Sequence, residues 1–352
     1  MTIDAHVHDR GWKESYKENP QHAIEVAKDV GLDAIFTMPN TSPPIIDEEK
    51  VRERLYLANE VGNNEVFYGI WMGTQPNKEQ IKRAVAIHRK YFPKVVGIKV
   101  YLDHSTNDMG IINSEDQYMV QQTFVQEGYD GIQGYHAEKA DKRHPDIWKP
   151  NLPISHCLAR PEESEVESIK DIIAMAKAVN NKGKIHVLHT STHKGAMVIK
   201  EAREKDKLDI TCSTCPHYLI YDWTQMLEPN GARWKMNPPL REPGIPQVLL
   251  EDLRNEDILW IETDHAPHSL HEKDNEPFLS GIPGLAWWPL FIEYLGHNNF
   301  SEEKIKRVTH DNITKRFDID ISRTRNLLIK DRRKDYSYNP YEPLEKILSW
   351  HK

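Results

Sequence analysis

The chain has 352 residues, 38% of them hydrophobic and 28% charged, with 46 Lys+Arg against 54 Asp+Glu for a formal net charge of −8. This is the composition of a globular protein, and mild acidity with no extended basic tract speaks against nucleic acid as a partner. Its longest apolar runs, Ile70-Trp71-Met72 and Leu285 to Leu290, fall far short of the roughly 20 residues that span a bilayer. The N-terminus reaches Asp4 and His6 with no basic flank or apolar stretch, so no secretory leader is read there, and a cytoplasmic location is expected. Three cysteines, Cys157, Cys212 and Cys215, cannot build an even disulfide framework. Cys212-x-x-Cys215 has no second pair to complete a zinc knuckle and reads as ordinary packing. Eighteen histidines against those three cysteines imply that any metal would be held by imidazole and carboxylate.

In chain order, short β-branched runs read as strands at Thr2 to Val7, Ala34 to Met38, Val66 to Met72, Val95 to Tyr101, Ile132 to His136, Lys184 to His189, Asp209 to Cys215 and Ile258 to Glu262. Between them, apolar residues recur at spacings of three and four in His22 to Val30, Glu48 to Val61, Lys78 to Tyr91, Glu162 to Val179 and Lys194 to Lys205, which predicts helices. Strand followed by helix, repeated, is the pattern of an α/β protein with a parallel (β/α)₈ barrel of the TIM type. Asp103 to Gly131 and His144 to Pro161 are too long for simple connections and read as elaborated loops over the barrel mouth. The barrel is expected to occupy residues 1–317 and a C-terminal tail residues 318–352, ending in an amphipathic stretch from Pro343 to Trp350. The basic patch Asp331-Arg332-Arg333-Lys334 in that tail reads as a solvated face. Neither GxGxxG nor GxxxxGK[ST] occurs, so a dinucleotide or P-loop site has no support.

Residues able to carry chemistry gather at the predicted strand ends. His6 and His8, two apart on a strand, point the same way and can bind one metal together; alone, the pair could equally be an exposed polar face. Lys99 lies late in the fourth strand, His136 ends the fifth, His189 ends the sixth and Asp264 follows the eighth. All lie on the C-terminal rim, where barrel enzymes place their active sites. Four neutral imidazoles and one aspartate leave two divalent cations short of negative charge. Lys99 sits in the apolar run Val95 to Val100, where burial lowers an amine's pKa; a neutral amine can add carbon dioxide, and the resulting carbamate can bridge two metals. A surface ion pair and a Schiff-base role are the other readings of this lysine. Asp264 suits proton transfer between a metal-activated hydroxide and a leaving nitrogen. Arg10 and Asn40 are expected at the same mouth and, with His268, could clamp an anion; Arg10 alone could be a solvated loop residue. His265 stands open between a site role and a structural one.

These elements together resemble dihydroorotases of the amidohydrolase superfamily over about Asp4 to Phe317. The resemblance is carried by His6-Val7-His8-Asp9-Arg10, Met38-Pro39-Asn40-Thr41, Gly97-Ile98-Lys99-Val100-Tyr101, Tyr135-His136-Ala137-Glu138 and His186 to Thr192. Arg160-Pro161, Cys215 to Leu219, Asn237-Pro238-Pro239-Leu240-Arg241, Thr263 to His268 and Gly281 to Leu285 extend it. It implies an enzyme that interconverts N-carbamoyl-L-aspartate and (S)-dihydroorotate in pyrimidine synthesis, with two Zn²⁺ per chain bridged by carbamylated Lys99 and hydroxide. His6, His8 and Asp264 would hold one zinc, and His136 and His189 the other. Asp264 would double as general acid and base. Arg10, Asn40 and His268 would hold the substrate carboxylate, while Asn237 and backbone near Gly281 would contact the ring. Many relatives begin with half of a small β-sandwich; only five residues precede His6, so that accessory sandwich is expected to be absent or reduced. Allantoinase or another cyclic amidohydrolase is the nearest alternative, and a non-catalytic dihydroorotase-like barrel that partners another pyrimidine-pathway enzyme is the alternative from a different class. A homo-oligomer is also compatible with the sequence.

Overall fold

The structure is a computed structural model that describes residues 1–61, 65–322 and 327–349. Seven parallel strands, β1 (Ile3–Val7), β2 (Ala34–Thr37), β3 (Phe67–Gly73), β4 (Val95–Tyr101), β5 (Ile132–His136), β6 (Lys184–Val187) and β7 (Ile210–Cys212), form one sheet in sequence order. Most of their residues are buried on both faces, as expected where helices cover a parallel sheet; β4, with the sequence VVGIKVY, is buried throughout. The first four helices follow their strands in turn: α1 (Pro20–Asp29), α2 (Glu48–Asn59), α3 (Lys78–Tyr91) and α4 (Ser114–Gln126). Each starts where a side chain takes up an orphan backbone N–H: Asn19 accepts from His22, Asp47 from Lys50, Asn77 from Gln80 and Asn113 from Asp116, at 2.7–3.0 Å. The predicted long loop 103–131 therefore contains a full helix, α4. Its pattern is blurred because Val120, Gln121, Thr123 and Phe124 make up the buried face, two of them polar. The stretch 144–161 holds only a short turn and the helix Ser155–Ala159.

The eighth predicted strand, Ile258 to Glu262, is not a regular strand. It still fills the eighth position: Leu259 N–H donates to Cys212 O, Thr214 N–H to Trp260 O and Glu262 N–H to Thr214 O. On the β1 side a side chain replaces most of the ladder, since Asp4 accepts from Thr263 N and Oγ1, and only His8 N–H reaches a backbone oxygen, that of His265, at 2.7 Å. Thus 258–265 bridges β7 and β1.

The lumen below the mouth is filled by Ile3, Ala5, Phe36, Trp71, Trp260 and Phe317. Gly97 and Gly134 give the Trp71 ring its room: a Cβ at either would lie 2.6–2.7 Å from the indole. In β1 the pairing slips between Asp4 and Val7. Strict alternation would put Val7 in the lumen with Ile3 and Ala5, but Val7 packs in the outer cluster. The bulge reverses the inward parity and so turns His6 and His8 toward the mouth. The tail packs on the barrel through the helix Glu342–Ser349, of which Leu344 and Leu348 are buried; Trp350, predicted to end it, lies outside the described residues. Among the described residues, no helix is long and apolar enough to cross a membrane.

Candidate active site

A cavity of about 560 Å³ opens at the C-terminal ends of the strands. His6, His8, Arg10, Asn40, His136, His189, Asn237, Asp264, His268 and Gly281 all line it; Lys99 lies wholly buried beneath. Ten positions from His6 to Gly281 thus meet at one mouth, with Lys99 below them.

Two convergent groups stand out. His6 Nε2, His8 Nε2 and Asp264 Oδ1 form a triangle with sides of 3.2, 3.1 and 2.9 Å. Nitrogen and oxygen ligands at 2.0–2.1 Å from a tetrahedral zinc are about 3.3 Å apart, so the triangle has the dimensions of three corners of a metal site. His136 Nδ1 and His189 Nε2 form the second group, 3.0 Å apart. The groups adjoin, with the His6 and His189 ring centroids separated by 5.2 Å. Burial brings His8 down to about 3 and His189 well below the usual imidazole range, which keeps both rings neutral with lone pairs available. Burial would raise the Asp264 carboxyl, but the adjoining His6 and the hydrogen bond with His8 hold it well below the ordinary value.

Lys99 Nζ has no hydrogen-bond partner, although it is fully buried and close enough to Glu262, Asp264 and His189 to interact with each electrostatically. Burial lowers its pKa to about 7, against the partial opposition of Glu262 and Asp264. A buried amine with no hydrogen bond, about half of it neutral near pH 7 and close to both sets of metal-binding atoms, is suited to becoming a carbamate that completes both sets. The donor set fits a pair of zinc ions.

Outer contacts orient these ligands. Glu262 Oε1 lies 3.3 Å from His6 Nδ1 and accepts from His189 N–H and Ser213 Oγ at 3.0 and 2.7 Å, while its Oε2 accepts from the Trp260 indole at 3.1 Å. Glu138 Oε2 lies 3.0 Å from His136 Nε2. Sequence reading overlooked both carboxylates, although each left a trace: Glu262 is the one charge in Ile258 to Glu262, and Glu138 stands two residues beyond His136. Asp103, His136 and Glu138 also cluster, but Arg160 Nη2, 2.6 Å from Asp103 and 2.5 Å from Glu138, already supplies the cation there.

On the substrate side, Arg10 Nη2 lies 3.4 Å from His268 Nε2. His268 Nε2 is nearer to Ser280 O, at 3.0 Å, and its Nδ1 stands 3.6 Å from Glu272 Oε2 without a hydrogen bond; Arg10 Nε, Asn40 Oδ1 and Asn237 Oδ1 have no hydrogen-bond partner. Burial and the Arg10 charge keep the His268 ring neutral. Gly281 has φ 130°, and a Cβ there would lie 2.7 Å from Ala266 O and 3.2 Å from His268 Cδ2. Its N–H is spent on Lys235 O, and its carbonyl accepts from Lys273 Nζ at 2.9 Å. Gly281 therefore shapes the wall, and its N–H is not free to reach a ring. His265 is structural: its Nδ1 accepts from Gly284 and Leu285 N–H, each at 3.1 Å, and its Nε2 meets Glu18 Oε2 at 3.2 Å. Cys212 and Cys215 are buried free thiols that burial pushes upward, consistent with packing.

No family model matches the sequence. Individual proteins do: a dihydroorotase of Aeropyrum pernix is 28% identical over 295 residues, covering 82% of this chain and 62% of that protein. One from Fusobacterium nucleatum is 26% identical over 98% of this chain and 80% of its own. Both of these relatives are named dihydroorotase. Its fold is shared with an L-hydantoinase (dihydropyrimidinase) from Arthrobacter aurescens, at TM-score 0.80 and 22% identity over 94% of this chain and 74% of that one. It is shared too with a dihydroorotase from Campylobacter jejuni, at TM-score 0.68 and 16% identity over 91% and 84%. The chain spans only 62% and 59% of the length of the Aeropyrum pernix and Pyrococcus abyssi dihydroorotases.

Proposed function

We propose that this protein is a zinc-dependent cyclic amidohydrolase acting as a dihydroorotase, interconverting (S)-dihydroorotate and N-carbamoyl-L-aspartate in pyrimidine synthesis. The observation that carries the reading is the placement of a cation beside the metal-binding atoms. Arg10, buried and next to His268, shares one cavity with the His6–His8–Asp264 triangle and the His136–His189 pair. A ring that carries both a carboxylate and a cyclic amide fits that pairing, because the guanidinium takes the carboxylate and thereby fixes which ring amide faces the metal-binding side. A neutral dihydropyrimidine would leave Arg10 without an anion.

His6, His8 and Asp264 would hold one zinc, His136 and His189 the other, with carbamylated Lys99 shared between them. When bound, the two ions supply Lewis acidity toward the amide carbonyl and acidify a water toward neutral pH. In the hydrolytic direction Asp264 would accept a proton at a carboxylate oxygen from the water whose oxygen adds to the ring carbonyl carbon, and would deliver it to the ring nitrogen as the C–N bond breaks; in cyclisation the same proton travels back. Arg10 and Asn40 orient the substrate carboxylate, and the unpartnered Asn237 Oδ1 is an acceptor for a ring N–H. The deciding experiment follows the absorbance of (S)-dihydroorotate with zinc-loaded protein, with chelator-treated protein and allantoin as controls. Chelator-sensitive loss with dihydroorotate alone supports the proposal, and absence of turnover from folded protein containing two zinc ions overturns it.

A further inference from the structure

Arg10 has an unusual backbone for an arginine, with φ 43°, and the next two residues, Gly11 and Trp12, are also left-handed at 77° and 45°. Three consecutive positive φ values carry a local cost that surrounding contacts must offset. Those contacts come from α2. Arg54, wholly buried, donates from Nη1 to Arg10 O at 2.8 Å and from Nε to Tyr68 Oη at 3.0 Å, and its Nη2 is paired with Asp9 Oδ1. Asp9, the residue before Arg10, also accepts from Thr37 Oγ1, and its Oδ2 accepts from Tyr68 Oη at 2.5 Å. The Trp12 ring lies over the Arg54 guanidinium at 4.8 Å. At Gly11 an ideal Cβ would sit 2.4 Å from Arg54 Nη1, so the guanidinium occupies the space a side chain would need.

The geometry points to Arg54, with Asp9 as its anchor, as a positioning residue that sets the substrate-anion clamp by fixing the backbone of Arg10. Arg54 does not line the cavity and touches no substrate; it acts through Arg10. Its guanidinium grips both the side chain of Asp9, one residue before, and the carbonyl of Arg10 itself. A guanidinium with several N–H donors in a rigid fork can hold these acceptors at once, and an ammonium on a flexible stem cannot reproduce that set. Since Glu262 holds His6 and the backbone of His189, and Glu138 holds His136, while Asp264 meets His6 and His8 and touches neither Arg54 nor Asp9, loss of Arg54 should disturb the anion subsite more than the proton-transfer chemistry. For the identity of the anion, the carboxylate of dihydroorotate, this inference rests on the function proposed above.

The test uses Arg54→Met, Arg54→Lys and Asp9→Asn in the full chain loaded with zinc. With wild type turning over dihydroorotate, Arg54→Met is expected to raise KM for dihydroorotate about tenfold to a hundredfold, with kcat changed by less than about threefold. Arg54→Lys should recover only a small part of the loss, and Asp9→Asn should shift KM in the same direction. In an Arg10→Met background, Arg54→Met should add nothing to KM, because the group it positions is gone. A fall in kcat with KM unchanged, or full additivity in the double variant, overturns the inference. Should Arg54→Met fail to fold, Asp9→Asn carries the same test. Crystal structures of Asp9→Asn and wild type give a readout that needs no turnover and separates this inference from the functional proposal. Departure of Arg10 from its left-handed φ and from His268 supports the positioning role even if dihydroorotate is not the substrate, and an unmoved Arg10 overturns it.

Discussion

Glu138 Oε2 lies 3.0 Å from His136 Nε2, the ring nitrogen opposite the one that meets His189. A carboxylate there holds the ring's orientation and leaves Nδ1 with a lone pair facing His189 Nε2. Such outer partners affect metal affinity by about 10- to 100-fold. Glu138→Gln is therefore expected to bind its first zinc normally and its second about 10- to 100-fold more weakly, read by zinc titration and metal content after dialysis. Two tightly held ions in this variant would remove Glu138 from the role. Gln is the right probe, because Ala would leave buried Arg160 short of a partner.

Asp264→Asn should lower turnover by about 10³-fold or more, while near-ultraviolet circular dichroism stays close to wild type. The amide keeps the side chain's shape but cannot accept the proton from the attacking water. Because Asp264 Oδ1 is also one corner of the His6–His8 triangle, zinc content has to be measured beside kcat. Activity within tenfold of wild type, with metal retained, would exclude Asp264 as the proton carrier.

Lys99 is expected to govern reconstitution. With its pKa near 7, about half or more of the amine is neutral at and above that pH, so carbon dioxide can add to it. Activity of apoprotein given zinc should return faster with bicarbonate and at pH 8 than at pH 6. Lys99→Met should retain the fold and fail to respond to bicarbonate. Equal recovery rates with and without bicarbonate in carbon-dioxide-free buffer would argue that the amine is not carbamylated.

Much of this site is readable in the sequence because local rules place it. Period two puts His6 and His8 on one side of a strand, and the apolar run Val95 to Val100 around Lys99 points to a buried lysine over a surface one. Repeated strand and helix then assign all the strand ends to one rim. What is not readable depends on contacts between distant segments. Glu262 orients His6 across 256 residues of sequence, and nothing in either segment announces the other. The bulge that aims β1 is invisible for the same reason, as it is a property of pairing with β2. Helix α4 is obscured because polar Gln121 and Thr123 are buried on its inner face, with Gln121 donating to Ile172 O at 3.0 Å. The irregular eighth strand reflects Asp4, whose side chain takes the bonds a backbone ladder would have made.

His22 on α1 stands between two carboxylates, with Nδ1 2.6 Å from Glu18 Oε1 and Nε2 3.0 Å from Asp335 Oδ2 in the tail. The hydrogen bond to Glu18 raises its pKa to about 9, against partial burial, with Asp335 adding to the rise. A folded-state pKa above the unfolded value of 6.5 means that the stabilisation is fully present below pH 6.5 and is lost as pH rises toward and through 9. The ring is 30% exposed, so the contribution, discounted for solvent screening, is about 1–2 kcal/mol. Urea unfolding at pH 6 and pH 9.5 should show a loss of that size in wild type and a smaller one in His22→Gln. Glu18 also meets His265 Nε2 and Tyr336 Oη, so loosening the His22 bridge frees one end of a link between the tail and the strand end that carries Asp264. An identical pH dependence in the variant would assign the alkaline loss to other groups.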